Sequence, residues 1–419
     1  MLISQLSPAV APHSTDARFT EHTAVVGSGD HVDAIELLGK FTTSFSHINS
    51  RPDDFALVVT TSGSTGAPKQ TTLTTGALAA SARATEAFAG TDNAQWLLAL
   101  PLHYVAGAQV VARSALAGTT PVPTRSISNG APFNAQDFVN SASALTAQHR
   151  MTSLVPTQLH KLLETAESDP QMSSEILDAL RSFDALLLGG APASAALLER
   201  AQHLGVKVLT TYGSAETAGG CVYSGVPLPG VHVHIEPETA EDAASGSGRI
   251  WLGGPILASG YLDDAQRTAA HFFTDPDGMR CYKTDDRGTC TDSLTVLGRA
   301  DDTIITGGLK VSAGVLARLL ETHPSVREAL VVGLPDARWG QALVAALTLR
   351  HSHPGAETPE LLDTRSSLAT QLSDLVTQQL GRAAAPKLTL VYADFPALST
   401  GKPDRSTVIS HLEQYYRQQ

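Results

Sequence analysis

Cysteine, charged residues and aromatic residues are all scarce in this sequence. Of 419 residues, three are cysteine, 17% are charged and 5% are aromatic. Cys221, Cys281 and Cys290 lack the spacing of a metal site, and such an odd, sparse set argues against a disulfide framework. The low charge, together with 42% hydrophobic residues, argues against disorder. We therefore expect a folded protein of a reducing compartment, the cytoplasm.

The chain also lacks long apolar runs and an excess of basic residues. No apolar run reaches the ~18 residues that a membrane-spanning helix needs. The first five residues do not combine a basic stretch with an apolar one, so we expect no secretory signal. A net charge of −12 disfavours nucleic acid as a partner. At this length, two or more domains are expected.

Small and hydroxyl-bearing residues dominate the segment 60–69. It follows the apolar stretch 55–59, which predicts a buried strand. Gly63 and Gly66 let the backbone approach a ligand, and the hydroxyls, free N–H groups and Lys69 can surround phosphate oxygens. A flexible linker is the alternative, although a linker rarely follows a buried strand and ends in Pro-Lys. The common nucleotide loop Gly-x4-Gly-Lys-Ser/Thr does not fit, because Gly66 is followed by Ala-Pro-Lys.

Predicted strands and helices alternate up to about residue 217, which is typical of parallel α/β layers. Ligands bind at the carboxyl ends of the strands in such sheets, and loops rich in small residues follow these strands. We predict strands at 55–59, 96–100, 185–188 and 206–210, a strand at 71–74 that returns after the loop, and a strand end at 153–156. We predict helices at 34–38, 76–89, 107–117, 137–147 and, capped by Ser194, up to residue 201.

The character of the chain then changes twice. From about residue 220, short strands and glycine-rich turns predict a β subdomain. Further on, strands at 303–306, 309–312 and 329–332 and helices at 315–321 and 367–380 predict a small α+β domain. The predicted fold class is therefore α/β. A large N-terminal domain (1–298) consists of layered α/β sheets with a β subdomain, and a small, mobile C-terminal lid domain covers 299–419.

Five motifs occur in a familiar order along the chain. They are the loop at 60–69, Tyr-Gly-Ser-Ala-Glu at 212–216, Tyr-Lys-Thr-Asp-Asp at 282–286, Gly-Arg-Ala-Asp-Asp at 298–302 and Ser-Thr-Gly-Lys at 399–402. This order resembles the adenylate-forming superfamily, which includes acyl-CoA ligases, adenylation domains and luciferases. The short segment before the loop and the stretches 101–107 and 219–225 resemble the compact o-succinylbenzoate–CoA ligases most.

The resemblance implies a role for each matching residue. Tyr212 would lie against adenine, Glu216 would hold Mg²⁺ and Asp286 would bind the ribose hydroxyls. The catalytic residues would be Lys402, Glu216 and Lys69, with Asp301 as the hinge. The implied ATP-binding residues are Thr61, Ser62, Gly63, Ser64, Thr65, Gly66, Lys69, Gly190, Ala191, Tyr212, Gly213, Ser214, Asp286 and Arg299.

The resemblance also implies an acyl pocket, formed by His103, Gly107, Gly189 and Gly220. The sequence departs from the superfamily pattern at two positions, where Ala215 replaces a threonine and Asp285 replaces a glycine. Taken one at a time, these residues have simpler interpretations. A lone acid or lysine is most often a solvated surface group, and a lone histidine is most often part of the core.

The implied activity is that of an ATP-dependent acid–thiol ligase. It would activate o-succinylbenzoate as an acyl-AMP, release pyrophosphate and transfer the acyl group to CoA in menaquinone biosynthesis. ATP and CoA would be substrates, Mg²⁺ a cofactor and a homodimer the assembly. The alternatives are an aryl-acid adenylation enzyme that loads a carrier protein, another aryl- or acyl-CoA ligase, and a non-catalytic nucleotide-binding homologue.

Overall fold

The apolar runs of the sequence form the strands of four β-sheets, and helices cover their faces. The computed structural model describes residues 5–27, 32–62, 68–300, 302–350, 359–396 and 403–418. Within these residues, the sheets follow one another roughly along the chain, although the first and the third exchange short edge strands. None of the helices in the described part of the chain combines the length and the apolar character needed to span a bilayer.

The strands are, in chain order, β1 (Ser7–Pro8), β2 (Phe19–Val26), β3 (Phe55–Ser62), β4 (Pro68–Thr74), β5 (Gln95–Leu98), β6 (Val122–Pro123), β7 (Arg150–Leu154), β8 (Ala185–Leu188), β9 (Val208–Ser214), β10 (Gly219–Tyr223), β11 (Val226–Pro227), β12 (His232–Glu236), β13 (Ser247–Gly253), β14 (Gly260–Tyr261), β15 (Phe272–Thr274), β16 (Arg280–Cys290), β17 (Leu294–Arg299), β18 (Thr303–Thr306), β19 (Leu309–Ser312), β20 (Val326–Asp336), β21 (Gly340–Leu349), β22 (Glu360–Leu361) and β23 (Leu388–Tyr392). The helices are α1 (Ala34–Ser46), α2 (Thr75–Ala89), α3 (Val105–Ala117), α4 (Arg125–Ser128), α5 (Ala135–Ser143), α6 (Pro156–Ser168), α7 (Pro170–Arg181), α8 (Ala195–His203), α9 (Ala240–Ser245), α10 (Ala265–His271), α11 (Ala313–Glu321), α12 (Ser367–Leu380) and α13 (Arg405–Tyr416), with 3-10 turns at Ala215–Thr217 and Arg382–Ala384.

The first sheet has the order β14-β4-β3-β2 and carries the segment predicted to bind phosphate. Strand β3 is parallel to β2 but antiparallel to β4, and Ser62 lies opposite Pro68. The predicted loop is therefore the connection of a hairpin, not the strand-to-helix crossover of a purely parallel sheet. The strand predicted to return at 71–74 is thus confirmed within β4, and β2 and β3 keep the parallel pairing.

The second sheet, in the order β11-β10-β9-β8-β7-β5-β6, confirms the predicted parallel α/β layer. Its strands from β6 to β9 are parallel, and β10 returns antiparallel to β9. Trp96 and Leu98 of β5 pack into one apolar cluster, whereas Leu97 packs into a second. Because both faces of the sheet are buried at its centre, residues 96–98 of β5 and all of β8 are apolar.

Local sequence signals were sufficient to predict the bounds of some strands and helices. The strand predicted at 185–188 and the helix predicted at 367–380 have these bounds, and Ser194 caps α8 as predicted. Helix α5 ends at residue 143, before the predicted 147. The carboxamide oxygen of Gln95 accepts the N–H groups of Thr146 and Ala147 at 2.8 and 3.1 Å, so these N–H groups are paired outside the helix.

The remaining two sheets confirm the predicted β subdomain and the small α+β part. In the third sheet, β12, β13 and β16 are antiparallel, and β15 and β17 both pair with the edge of β16 opposite β13, with β1 beside β15. The fourth sheet comprises β18 to β23 and packs against α11, α12 and α13. Among the described residues, the two apolar clusters of this part contain none before Ile304. This separation supports a boundary near 298, which stays a prediction.

An ion pair joins the small C-terminal part to the large part. The guanidinium of Arg327 on β20 lies 3.7 Å from the carboxylate of Glu164 on α6. Arg327 also donates to the carbonyl of Ala393 at 2.9 Å and to Thr348 at 3.2 Å, and it pairs with Asp394. Most of the contacts of this guanidinium therefore lie within the small part.

Glu321, the last residue of α11, generates a prediction for the pH dependence of stability. Burial, reinforced by Glu328, raises the pKa of Glu321 from 4.5 to about 7. The folded protein thus keeps a proton that the unfolded chain releases, and the free energy of unfolding falls as the pH rises between these two values. We expect Glu321→Gln, which can still accept the N–H of Ala329, to raise the free energy of unfolding by about 2 kcal/mol near pH 8 and to change little near pH 4.

Chemical denaturation of both proteins at the two pH values is the measurement. Glu360→Gln is the matched control, because Glu360 is exposed on β22. A gain of equal size at both pH values, or in the control, would contradict the assignment.

Candidate functional site

A lysine from the first sheet and a glutamate from the second meet in a buried ion pair. Lys69 lies on β4, and Glu216 lies in the 3-10 turn that follows β9. The Lys69 ammonium nitrogen is 2.6 Å from Oε1 of Glu216, whose residue is only 2% exposed. Burial would raise the pKa of Glu216, but Lys69 and hydrogen bonds from Ser214 and Tyr261 outweigh it and lower the pKa. The carboxylate is therefore ionised at neutral pH.

Tyr261 completes this contact and was not predicted from the sequence. Its hydroxyl donates to Oε1 of Glu216 at 2.8 Å, and the Lys69 ammonium lies 5.3 Å from the centre of its ring. Tyr261 reaches this place because β14 pairs with β4, with Tyr261 opposite Thr71. Burial, and then the charge of Glu216, raise the pKa of Tyr261 far above its ordinary value, so it stays a proton donor.

A second polar contact lies close to the first. The hydroxyl of Tyr212 on β9 donates to Oδ2 of Asp286 on β16 at 2.8 Å. Burial, and then the charge of Asp286, raise the pKa of Tyr212. Arg299 lies directly opposite Asp286 on the neighbouring strand β17, and its guanidinium is 3.3 Å from the carboxylate of Asp285. Asp285, one of the two departures from the superfamily pattern, thus holds Arg299 in place.

The turn between β9 and β10 is closed by several short contacts. Thr217 accepts the N–H of Ser214 at 2.8 Å, and its hydroxyl donates to the carbonyl of Gly219 at 2.6 Å. A side chain at Gly213 would lie 2.1 Å from that same carbonyl, so only glycine fits there. These contacts fix the backbone on both sides of Glu216.

The two polar contacts line one open cleft. Its walls come from the first three sheets and from the segment that leads to the small C-terminal part. The cleft brings together seven of the predicted residues and adds four others. Its lining consists of Lys69, Tyr212, Gly213, Ser214, Glu216, Asp286 and Arg299, together with Leu252, Tyr282, Thr284 and Asp285.

The predicted acyl residues lie outside this lining, and two of them flank Thr211. A side chain at Gly189 would lie 2.1 Å from the Thr211 hydroxyl, and one at Gly220 would lie 2.9 Å from Cβ of Thr211. Thr211 directly precedes Tyr212, so these two glycines are next to the cleft. Gly107 packs against the backbone of residue 101 at the start of α3, and His103 contacts the ring of Tyr104 at 4.1 Å between centroids.

The other predicted residues lie in or next to strand ends, or outside the described residues. Gly190, with a φ of +79°, and Ala191 follow β8 in the loop before α8. Thr61 and Ser62 end β3, with Thr61 opposite Lys69. Gly63, Ser64, Thr65, Gly66, Asp301 and Lys402 lie outside the described residues.

The donor set of the cleft fits a magnesium–nucleotide complex. Among the residues described, no group of three or more His, Cys, Asp or Glu side chains is placed to hold a metal. Mg²⁺ needs no such cage, because one or two carboxylates together with substrate phosphates and water complete its shell. Glu216 offers a carboxylate oxygen, and Lys69 and Arg299 offer positive charge for phosphate oxygens.

The chain resembles proteins of known families over most of its length. Residues 5–262 match the AMP-binding enzyme family, and residues 318–402 match the AMP-binding enzyme C-terminal domain. A protein of Mycobacterium tuberculosis described as a probable 2-succinylbenzoate–CoA ligase is 39% identical over 361 residues, which are 85% of this chain and 84% of the relative.

Solved structures give the same result. The o-succinylbenzoate CoA synthetase (MenE) of Bacillus subtilis, in complex with its acyl-adenylate intermediate, is 28% identical with a TM-score of 0.65, over 85% of this chain and 69% of that one. The same enzyme in complex with ATP and a magnesium ion gives a TM-score of 0.64 at 28% identity, over 85% of this chain and 70% of that one. The sequence match, the fold and the conjunction of the motif residues in one cleft lead to the same conclusion: the chain belongs to the AMP-binding enzyme family.

Proposed function

We propose that this protein is a 2-succinylbenzoate–CoA ligase that acts in menaquinone biosynthesis. The observation that carries the proposal is the cleft that gathers Lys69, Glu216, Tyr212, Asp286 and Arg299 from four of the five superfamily motifs. The 39% identity to the mycobacterial relative, over 85% of the chain, supports the same substrate. ATP, CoA and o-succinylbenzoate are the substrates, and Mg²⁺ is the cofactor.

The first half-reaction joins the acid to AMP. A carboxylate oxygen of o-succinylbenzoate bonds to the α-phosphorus of ATP, the bond from that phosphorus to the bridging oxygen breaks, and pyrophosphate leaves. This chemistry needs alignment and charge neutralisation rather than a protein nucleophile. Bound Mg²⁺ supplies part of that neutralisation. Lys69 neutralises phosphate charge in the cleft, and Lys402 approaches the carboxylate and the α-phosphate from the small domain.

The contact between Tyr212 and Asp286 orients the nucleotide. The ring of Tyr212 lies against adenine, and the hydroxyl that Tyr212 donates to Asp286 holds that carboxylate toward the ribose. A carboxylate has about four acceptor positions, so Asp286 can accept ribose hydroxyls while it keeps Tyr212. Arg299, held by Asp285, contacts the ribose or a phosphate. Asp285 thereby gains a positioning role at a place where relatives usually have glycine.

The second half-reaction forms the thioester. The small domain rotates about Asp301, so that Lys402 leaves the cleft. The CoA thiol loses its proton, its sulfur bonds to the acyl carbon, the bond from that carbon to the AMP oxygen breaks, and AMP leaves. The acyl group lies beside His103, Gly107, Gly189 and Gly220. We place the enzyme in the cytoplasm and expect a homodimer, which sedimentation analysis can test.

The proposal predicts a sharp substrate preference. We expect rapid pyrophosphate release with ATP, Mg²⁺ and o-succinylbenzoate, and formation of its CoA ester when CoA is present. Benzoate, a fatty acid and amino acids should give release at least about tenfold slower, because one or two missing contacts cost that much in discrimination. A pyrophosphate assay, combined with mass spectrometry of the product, measures both.

Each of the other outcomes would indicate a different activity for this protein. Release with another acid would indicate another aryl- or acyl-CoA ligase. Transfer to the thiol of a holo-carrier protein, without transfer to CoA, would indicate an adenylation enzyme that loads a carrier. No release with any acid, despite ATP binding, would indicate a non-catalytic homologue.

Lys402 should act in the first half-reaction alone. We expect Lys402→Ala to slow acyl-adenylate formation by about 10²-fold or more, since it removes a charge that contacts the reacting groups. Thioester formation from supplied acyl-adenylate and CoA should stay close to wild type. Single-turnover assays of the two steps measure this split. Arg417→Ala, which removes an exposed basic residue of the same part, is the control, and equal loss of both steps in Lys402→Ala would refute the assignment.

A further inference from the structure

The carbonyl of Ala218 receives hydrogen bonds from two buried side chains. Nε2 of Gln109 on α3 donates to it at 2.7 Å, and the hydroxyl of Ser81 on α2 donates to it at 3.2 Å. Gln109 and Ser81 are both completely buried. Buried polar side chains are costly unless they are paired, so two such donors on one carbonyl need an explanation.

Ala218 has an unusual backbone conformation at a critical point. Its φ of +50° and ψ of 38° lie in the left-handed region, which residues other than glycine seldom adopt without support from their surroundings. Ala218 ends the 3-10 turn that carries Glu216 and begins the reversal into β10. The conformation of Ala218 therefore contributes, with the contacts of Thr217, to the path of the backbone between Glu216 and Gly220.

The side-chain amide of Gln109 forms a hydrogen bond through its nitrogen to Ala218. Within the described chain, Oε1 of Gln109 is buried and has no hydrogen-bond partner. An unpaired buried oxygen lowers stability, so an apolar side chain of the same size would serve the core better. We therefore attribute the presence of an amide at residue 109 to the hydrogen bond from Nε2 to the Ala218 carbonyl, and not to packing.

Gln109 also connects two parts of the site. Helix α3 begins at Val105, directly after the segment that carries His103, and Gln109 lies one turn further along. The side chain of Gln109 therefore ties this helix to the turn that carries Glu216.

From these contacts we infer that Gln109, assisted by Ser81, is a positioning residue that sets Glu216 for magnesium–ATP by holding the Ala218 carbonyl. Gln109 itself touches neither ATP nor the metal. The inference rests on the proposed function, because it assigns Glu216 to Mg²⁺.

The test uses the full-length protein and Gln109→Met, which keeps the side-chain length and removes both the donor and the unpaired oxygen. We expect the affinity for a non-hydrolysable ATP analogue in the presence of Mg²⁺, measured by calorimetry, to fall about tenfold, and the half-saturating Mg²⁺ concentration to rise. The melting temperature should equal or exceed that of wild type. Thioester formation from supplied acyl-adenylate should be unchanged.

Two further variants keep the test decisive if Gln109→Met folds poorly. Ser81→Ala should also lower the affinity for the ATP analogue and raise the half-saturating Mg²⁺ concentration. Both changes should be smaller than in Gln109→Met, because the bond from Ser81 is longer. Thr152→Val is the matched control, because it removes a buried hydroxyl that donates to the carbonyl of Leu97 at 3.2 Å, away from the turn. It should leave magnesium-dependent binding as in wild type.

Three results would overturn the inference. Unchanged magnesium dependence in both Gln109→Met and Ser81→Ala would remove the positioning role. Equal loss of both half-reactions, in parallel with the melting temperature, would mean that Gln109 only stabilises the fold. If wild type itself neither binds the analogue nor releases pyrophosphate, the proposed function fails and the inference fails with it, whereas an active wild type with unaffected variants overturns the inference alone.

Discussion

The ion pair between Lys69 and Glu216 is the constraint on which the site depends. A carboxylate that is 2% exposed can stay ionised only beside a cation and hydrogen-bond donors, because burial of an isolated charge costs several kcal/mol. Lys69 comes from the first sheet and Glu216 from the turn after β9, so the pair also fixes these two sheets to each other. Tyr261 adds a donor from the edge of the first sheet. A nucleotide with its metal offers Lys69 phosphate oxygens and Glu216 a cation, so its binding would exchange partners without leaving either charge unpaired.

The motif residues could be predicted because each motif is local. Tyr212 and Glu216 lie on one strand end and its turn, and Asp286 and Arg299 lie opposite each other on adjacent strands, so short stretches of sequence contain most of the geometry. Sharp local signals also determined element bounds, as at α12, where Ser366 caps the start and Gly381 follows the end.

Other features depend on pairing that no short stretch reveals. Tyr261 joins the site through the pairing of β14 with β4, and Gln109 through packing of α3 against the β9–β10 turn. Helices α6 and α7 were missed for another reason. Each begins with a proline, Pro156 or Pro170, which looks like a breaker in the sequence but occupies the first helical position, where its missing N–H is not needed.

The contact between the two parts of the chain bears on the rotation that the proposed mechanism requires. The pair between Arg327 and Glu164 is one link between them, beside the hydrogen bonds that Ser312 and Arg318 donate to the carbonyl of Leu297. The Glu164 side chain is 44% exposed, so the ion pair contributes only about 0–1 kcal/mol. If Glu164 moved away, Arg327 would still pair with Asp394 and donate to Ala393 and Thr348 within the small part. Breaking this ion pair therefore leaves neither Arg327 nor Glu164 as a buried charge without a partner. An ion pair of this kind can favour one orientation of the small part slightly, while the alternative orientation remains within reach of thermal energy and of differences in ligand binding.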